Sequence, residues 1–261
     1  MIRFLDNKEK VITKELYETV FDDTEKFVEY YYADRIEKNR VLVCEQNNKV
    51  VAMLHLNPHD IYINGEIYNI DYIYAVATHP SYRRQGYMEQ LLEYAFKVMK
   101  DEGKPFTYLI PENPLVYKKY GFDFIYSKKE NIDYEKAVVS PKILVRKADK
   151  YDIEEMVKFC DILVNQYDVF MVKDAAYFET LLPQLEAENG YMELMYFLGE
   201  LVGIRMINSE NEMKIIEEVA MSGYETIPLD MGEKPFIMAK ELKPGILDDL
   251  KGKSIFINEM V

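Results

Sequence analysis

The stretch from residue 74 to residue 92 constrains this chain most, because its pattern changes from strand to helix across one short basic turn. Tyr74, Ala75, Val76, Ala77 and Thr78 suit a strand, and His79 with Pro80 ends it. Ser81, Tyr82, Arg83, Arg84 and Gln85 then lead to Gly86. Beyond that glycine, Met88, Leu91, Leu92, Ala95, Phe96 and Met99 fall on one helical face. Free amides at a helix N-terminus, with the helix dipole behind them, make an anion site. Gly86 lets the backbone approach a phosphate with no Cβ in the way, and Arg83 and Arg84 add fixed positive charge. The same spacing also suits an ordinary strand-turn-helix with solvated arginines, and one glycine does not choose between the two.

The flanking pattern is mixed α and β. Residues 13–37 carry helical spacing in two stretches parted by Asp22, Asp23, Thr24 and Glu25, a tetrad with the chemistry of an N-cap and an acidic first turn. Residues 41–44 and 50–54 are β-branched runs joined at Asn47-Asn48, which predicts a hairpin. A second hairpin signal, Asn64-Gly65, precedes a long strand over residues 66–77. Past the helix that opens at Gly86, Gly103-Lys104-Pro105 is a stop, residues 106–110 a buried strand, 115–120 a short helix and 122–126 a strand. After residue 140 a similar order returns without a glycine turn into a helix: a strand at 143–145, helices over 152–166 and 173–187, and strands over 191–198, 201–207 and 213–221. A short helix at 246–252 and a strand from 254 onward complete the pattern.

Composition narrows the function classes. With 49% hydrophobic and 30% charged residues over 261 positions, the chain is globular and long enough for one large domain or two ordinary ones. The net charge of −14 supplies no basic footprint for nucleic acid. The same acidity attracts cationic small molecules such as amines, and it also serves solubility alone. No apolar run is long enough to span a membrane, and residues 1–10 lack a signal peptide's apolar core, so a cytoplasmic protein is expected. Cys44 and Cys160 lie in apolar runs and read as buried thiols. His55, His59 and His79 show no metal-ligand spacing, and no metal is expected.

Arg83-Arg84-Gln85-Gly86-Tyr87-Met88 resembles the pyrophosphate loop of the GNAT N-acetyltransferases, Gln/Arg-x-x-Gly-x-Gly/Ala, with Met88 in place of the small last residue. Val116-Tyr117-Lys118-Lys119-Tyr120-Gly121-Phe122 is similar to that family's Phe-Tyr-x-x-x-Gly-Phe signature. The echo after residue 140 matches the Eis-like branch, in which a degenerate second GNAT-like domain follows the first. That branch carries a larger sterol-carrier-like third domain, for which only about thirty residues remain here. The resemblance implies an α+β chain of tandem three-layer GNAT-like domains, each a mixed central sheet flanked by helices, with a short helix-strand tail. Its boundaries are 1–138 for the catalytic domain, 139–230 for the degenerate one and 231–261 for the tail.

The resemblance also implies an enzyme that transfers acetyl from acetyl-CoA to a primary amine of a cationic or peptide acceptor. Val76, Ala77 and Thr78 would pair with the pantetheine arm like an added strand. Arg83, Arg84, Gln85, Gly86, Tyr87 and Met88 would hold the pyrophosphate, and Tyr117 would protonate the leaving thiolate. For the general base, the branch uses its C-terminal carboxylate, here Val261. Asp71, on the central strand, and Glu112 are alternatives. A homo-oligomer fits the same pattern. The competing functions are a CoA-binding sensor on a GNAT scaffold whose catalysis is impaired, and a purely structural module that binds no acetyl-CoA.

Overall fold

The computed structural model describes residues 1–129, 132–209, 212–227 and 232–257. Contacts cluster into two compact units: Met1–Tyr126 with Phe236–Lys253, and Ser127–Pro235 with the stretch that starts at Ser254. The fold is the mixed α and β architecture that the pattern predicts.

The first unit holds β1 (Ile2–Phe4), α1 (Lys14–Val20), α2 (Glu25–Tyr30), β2 (Arg40–Gln46), β3 (Lys49–Ile63) and β4 (Glu66–Thr78). Then follow α3 (Tyr87–Asp101), β5 (Phe106–Leu109), α4 (Pro114–Lys118) and β6 (Phe122–Lys129). Thr24 caps α2, its hydroxyl accepting from the Phe27 amide at 3.2 Å. Both hairpin signals act through left-handed backbone, at Asn47 (φ 50°) and Asn48 (φ 62°), then at Asn64 (φ 50°) and Gly65 (φ 98°). Tyr17, Phe27, Val28 and Tyr31 of the N-terminal helical stretch pack on Val41, Val43, Met53, Ala75 and Ala77 of the sheet. Leu91, Leu92, Ala95, Phe96 and Met99 of α3 are buried outside that cluster, and α3 packs on β2, β3 and β4. Separate helical layers therefore cover the sheet.

One strand of this sheet escapes the sequence pattern. The strand order is β1-β2-β3-β4-β5-β13-β6, with β13 (Glu233–Glu241) pairing antiparallel to β5. Ile237, Met238 and Ala239 are wholly buried, yet their apolar run is short and sits between Pro235 and Lys240. The run expected as a helix at 246–252 is a succession of turns, closed by bonds such as Lys251 N to Asp248 O at 3.2 Å. Glycines at 245 and 252, both at positive φ, bracket it and leave no room for a regular helix.

The second unit carries β7 (Ile132–Asp133), β8 (Ile143–Lys147), α5 (Ile153–Leu163), β9 (Val169–Met171), α6 (Ala175–Ala187), β10 (Gly190–Phe197), β11 (Glu200–Asn208) and β12 (Lys214–Ala220). Its sheet order is β7-β12-β11-β10-β8, and all four ladders are antiparallel, where a mixed sheet is the sequence expectation. A parallel pair forms apart from it, between β9 and β14 (Ile255–Phe256). The two helices share one core, with Met156, Phe159 and Leu163 of α5 against Phe178, Leu181 and Leu185 of α6. Among the buried polar groups, Arg205 of β11 pairs with Glu193 of β10, and the Tyr134 hydroxyl donates to the same carboxylate at 2.9 Å. Cys44 and Cys160 are buried free thiols, and burial pushes Cys160 up to about 12.

Candidate active site

The first unit's sheet opens where β4 and β5 part. Their parallel ladder pairs Asp71 with Thr107 and Tyr72 with Tyr108. From Ile73 to the end of β4, the edge toward β5 has no strand partner among the described residues. On the other edge the register with β3 slips: His55 faces Tyr74, but Met53 faces Ala77. Ala75 and Val76 thus stand against Leu54 alone, and Ala75 adopts φ 49°. A bulge of this kind bends the strand and re-aims its backbone groups. Open backbone beside a bulge can accept an extended chain as an added strand.

The strand then runs into the basic turn. His79 accepts from the Ser81 amide at 3.2 Å and caps one short turn of helix. Arg84 at φ 62° and Gly86 at φ 80° reverse the chain, and Gly86 becomes the N-cap of the 15-residue α3. A Cβ on Gly86 would meet only Gln90 Nε2, at 3.8 Å, so the glycine answers a backbone requirement and leaves the approach to the amides open. Arg83 spends one donor on the Thr78 carbonyl at 3.2 Å; among the described residues neither it nor Arg84 has a carboxylate partner.

A cleft of about 610 Å³ gathers these parts. Val76, Thr78, Arg83, Arg84, Gly86, Tyr87 and Met88 line it, with Val20, Glu112, Lys119 and Tyr120. Ala77 and Gln85 do not. Ala77 points its methyl into the buried core, and Gln85 reaches back to the Ser81 carbonyl at 3.4 Å. Lys119, 4.5 Å from the centre of the Tyr120 ring, brings a third cation to a chain that is acidic as a whole.

Tyr117 is also not among the residues that line the cleft, although Lys119 and Tyr120 of the same turn are. Asn113 caps α4 by accepting from Leu115 N at 3.1 Å, Pro114 opens the helix, and Gly121 at φ 85° ends it. The Tyr117 ring is half-buried, edge-on to Phe122 at 5.9 Å. Burial, then the Glu112 carboxylate and Tyr120, push its hydroxyl up to about 12. Lys240 of β13 donates to the Tyr120 carbonyl at 2.6 Å and holds this turn from a strand that no local signal announces.

The remaining expected residues fall elsewhere. The Asp71 carboxylate is fully buried; its Oδ2 stands 2.7 Å from Arg40 Nη2 and 3.2 Å from Lys104 Nζ. Buried and already engaged by two cations, the Asp71 carboxylate does not line the cleft. Val261 lies outside the described residues. His55 is buried, stacked on Tyr31 with the rings 7° from parallel, and its Nδ1 lies 2.6 Å from the Tyr31 hydroxyl. Burial, aided by Lys10, drops its imidazole to about 3. His59 Nδ1 meets the Tyr108 hydroxyl at 2.7 Å. Among the described residues, no group of His, Cys, Asp and Glu is arranged to hold a metal ion. No helix of the described residues is long and apolar enough to cross a membrane.

An open strand edge, a bulge and a basic turn into a helix N-terminus meet in one cleft, an arrangement that suits an acyl-group transferase. Residues 1–125, a little under half of the chain, match the model of the acetyltransferase (GNAT) domain family. Solved structures extend the likeness beyond that domain. A probable N-acyltransferase from Enterococcus faecalis V583 aligns at TM-score 0.71 and 14% identity, over 93% of this chain and 73% of its own. A GCN5-related N-acetyltransferase from Anabaena variabilis aligns at 0.71 and 15%, with the same 93% and 73%. Eis1 from Mycobacterium abscessus aligns at 0.66 and 11%, over 93% and 74%. At these identities the likeness is one of fold. No curated protein matches the chain.

Proposed function

We propose that this protein transfers the acetyl group of acetyl-CoA to a primary amine. The observation that carries the proposal is the continuity of the cleft: the open edge of β4 runs directly into the left-handed turn at Arg84 and Gly86 and the first amides of α3. The pantetheine arm pairs along Val76, Ala77 and Thr78, and the amides of Arg84 through Met88 receive the pyrophosphate, with Arg83, Arg84 and Lys119 supplying charge. Backbone donors at the bulge near Val76 are suited to the oxyanion of the tetrahedral intermediate.

The reaction converts an ammonium and a thioester into an amide, a thiol and one released proton. The ammonium first gives up one proton. Its nitrogen attacks the thioester carbonyl, the C–N bond forms and the C–S bond breaks. The thiolate then takes a second proton, leaving one on the amide. Full transfer from Tyr117 at about 12 to a thiolate near 8.5 is uphill by about 5 kcal/mol. Tyr117 therefore serves as a hydrogen-bond donor to the sulfur, and that sulfur's proton comes from the attacking amine nitrogen once the C–N bond has formed.

Calorimetry with acetyl-CoA on wild type and Gly86→Asp is the first test, followed by thiol release with a panel of amines. Binding that the substitution abolishes, with thiol release on adding amine, supports transfer. Binding without thiol release to any amine leaves a CoA-binding sensor, and no binding removes both.

A further inference from the structure

We propose that Asp23, Tyr17 and Tyr74 form a directed proton exit for the acceptor ammonium. The inference rests on the transfer reading above and supplies the step it leaves open. Tyr17, at the middle of α1, is fully buried and Asp23 is exposed. The Tyr17 hydroxyl donates to Asp23 Oδ2 at 2.7 Å and touches the Tyr74 hydroxyl in a short hydrogen bond.

The direction follows from counting protons. A phenol has one hydroxyl proton, and an ionised carboxylate only accepts. The Tyr17 proton is committed to Asp23, so in the Tyr17–Tyr74 bond the donor is Tyr74. The Tyr74 oxygen is left with its lone pairs as the free end of the chain. That end lies next to the cleft along the chain, packed beside the aromatic cluster of the first unit. Tyr74 directly precedes the bulge at Ala75, while Val76 of β4 and Val20 at the end of α1 both line the cleft. Aromatic neighbours fix the hydroxyls: the Tyr17 ring lies 4.7 Å from Phe21, 5.8 Å from Tyr31 and 6.3 Å from Tyr74.

The step balances. As the ammonium gives its proton to the Tyr74 oxygen, Tyr74 passes its own to Tyr17 and Tyr17 passes its own to Asp23. The products are a neutral amine and a neutral Asp23 carboxyl, which ionises to the solvent around it. Burial raises both phenols well above their ordinary range, so neither stores a charge and the protons move together. Tyr74 is the group that meets the acceptor; Tyr17 and Asp23 act through it.

The test compares ethylamine with 2,2,2-trifluoroethylamine, whose fluorines weaken the base so that it is uncharged at neutral pH. Asp23→Asn, at an exposed position, and Tyr17→Phe, which keeps the ring, are assayed with acetyl-CoA beside wild type. Each variant is expected to lose about 10²-fold in kcat/KM with ethylamine and to stay within about threefold with the fluorinated amine. Acetyl-CoA affinity is expected to hold. An equal loss with both amines assigns the residues a structural role and overturns the exit, as does no loss with either. Should wild type bind acetyl-CoA yet acetylate neither amine, the transfer reading fails first and the exit falls with it.

Discussion

Arg40 and Asp71 join β2 to β4 through an ion pair of 2.7 Å, with Asp71 wholly buried and a third of the Arg40 side chain exposed. Lys104 closes on the same oxygen at 3.2 Å, and Asp71 Oδ1 is buried without a hydrogen-bond partner among the described residues. Asp71→Asn removes the charge that both cations face. The expected loss is about 2 kcal/mol in urea unfolding, below that of a fully buried pair because Arg40 reaches solvent. Acetyl transfer per folded molecule should stay within about twofold, since no reacting group depends on Asp71.

Tyr117→Phe tests the donor to sulfur. The substitution should lower kcat by about 10² and leave acetyl-CoA affinity unchanged. Because the hydroxyl is pushed up to about 12, wild type should show no alkaline loss assignable to this group below about pH 11. The linkage has a defined sign. The folded state favours the protonated phenol, so the associated stability is intact below the ordinary value near 10 and is lost as pH rises toward 12. A pH–rate series beside thermal melts checks both.

Gly86 separates backbone strain from charge. Gly86→Ala places a methyl in open space, 3.8 Å from Gln90, and pays only for φ 80°, about 1 kcal/mol. Acetyl-CoA binding should weaken several-fold. Gly86→Asp adds a carboxylate where phosphates are to lie and should abolish binding by calorimetry. Equal effects of the two would show that conformation alone matters.

His55 makes the first unit sensitive to acid. Its imidazole is held neutral down to about 3, while in the unfolded chain it takes a proton near 6.5. The stability it contributes is complete above 6.5 and is lost as pH falls toward 3, about 3 kcal/mol by pH 4. His55→Gln should flatten the acid limb of a stability–pH curve. An unchanged limb would mean that other groups dominate acid unfolding.

Arg205 is fully buried against Glu193. Arg205→Met should cost about 3–5 kcal/mol by leaving that carboxylate without its cation. Arg205→Met with Glu193→Leu should recover most of the loss, because the unpaired charge goes with it. Denaturant unfolding of the two variants reads this directly.

The sequence by itself determined the parts whose information is local. Asn47-Asn48 and Asn64-Gly65 set two hairpins because few other residues accept left-handed backbone. Thr24 set a cap, and Arg83 to Met88 set the turn and the helix start, because spacing and side-chain chemistry there need no distant partner. Tertiary structure alone decided what depends on pairing across the chain. β13 takes its place from β5, more than a hundred residues away, and its Lys240 then holds the Tyr120 carbonyl. Asp71 resembles a base in the sequence and is an ion-pair partner in the fold, because Arg40 and Lys104 reach it only once β2, β4 and the α3–β5 turn come together. The bulge at Ala75 and the Tyr74–Tyr17–Asp23 chain likewise arise from register and packing, which no single stretch of sequence encodes.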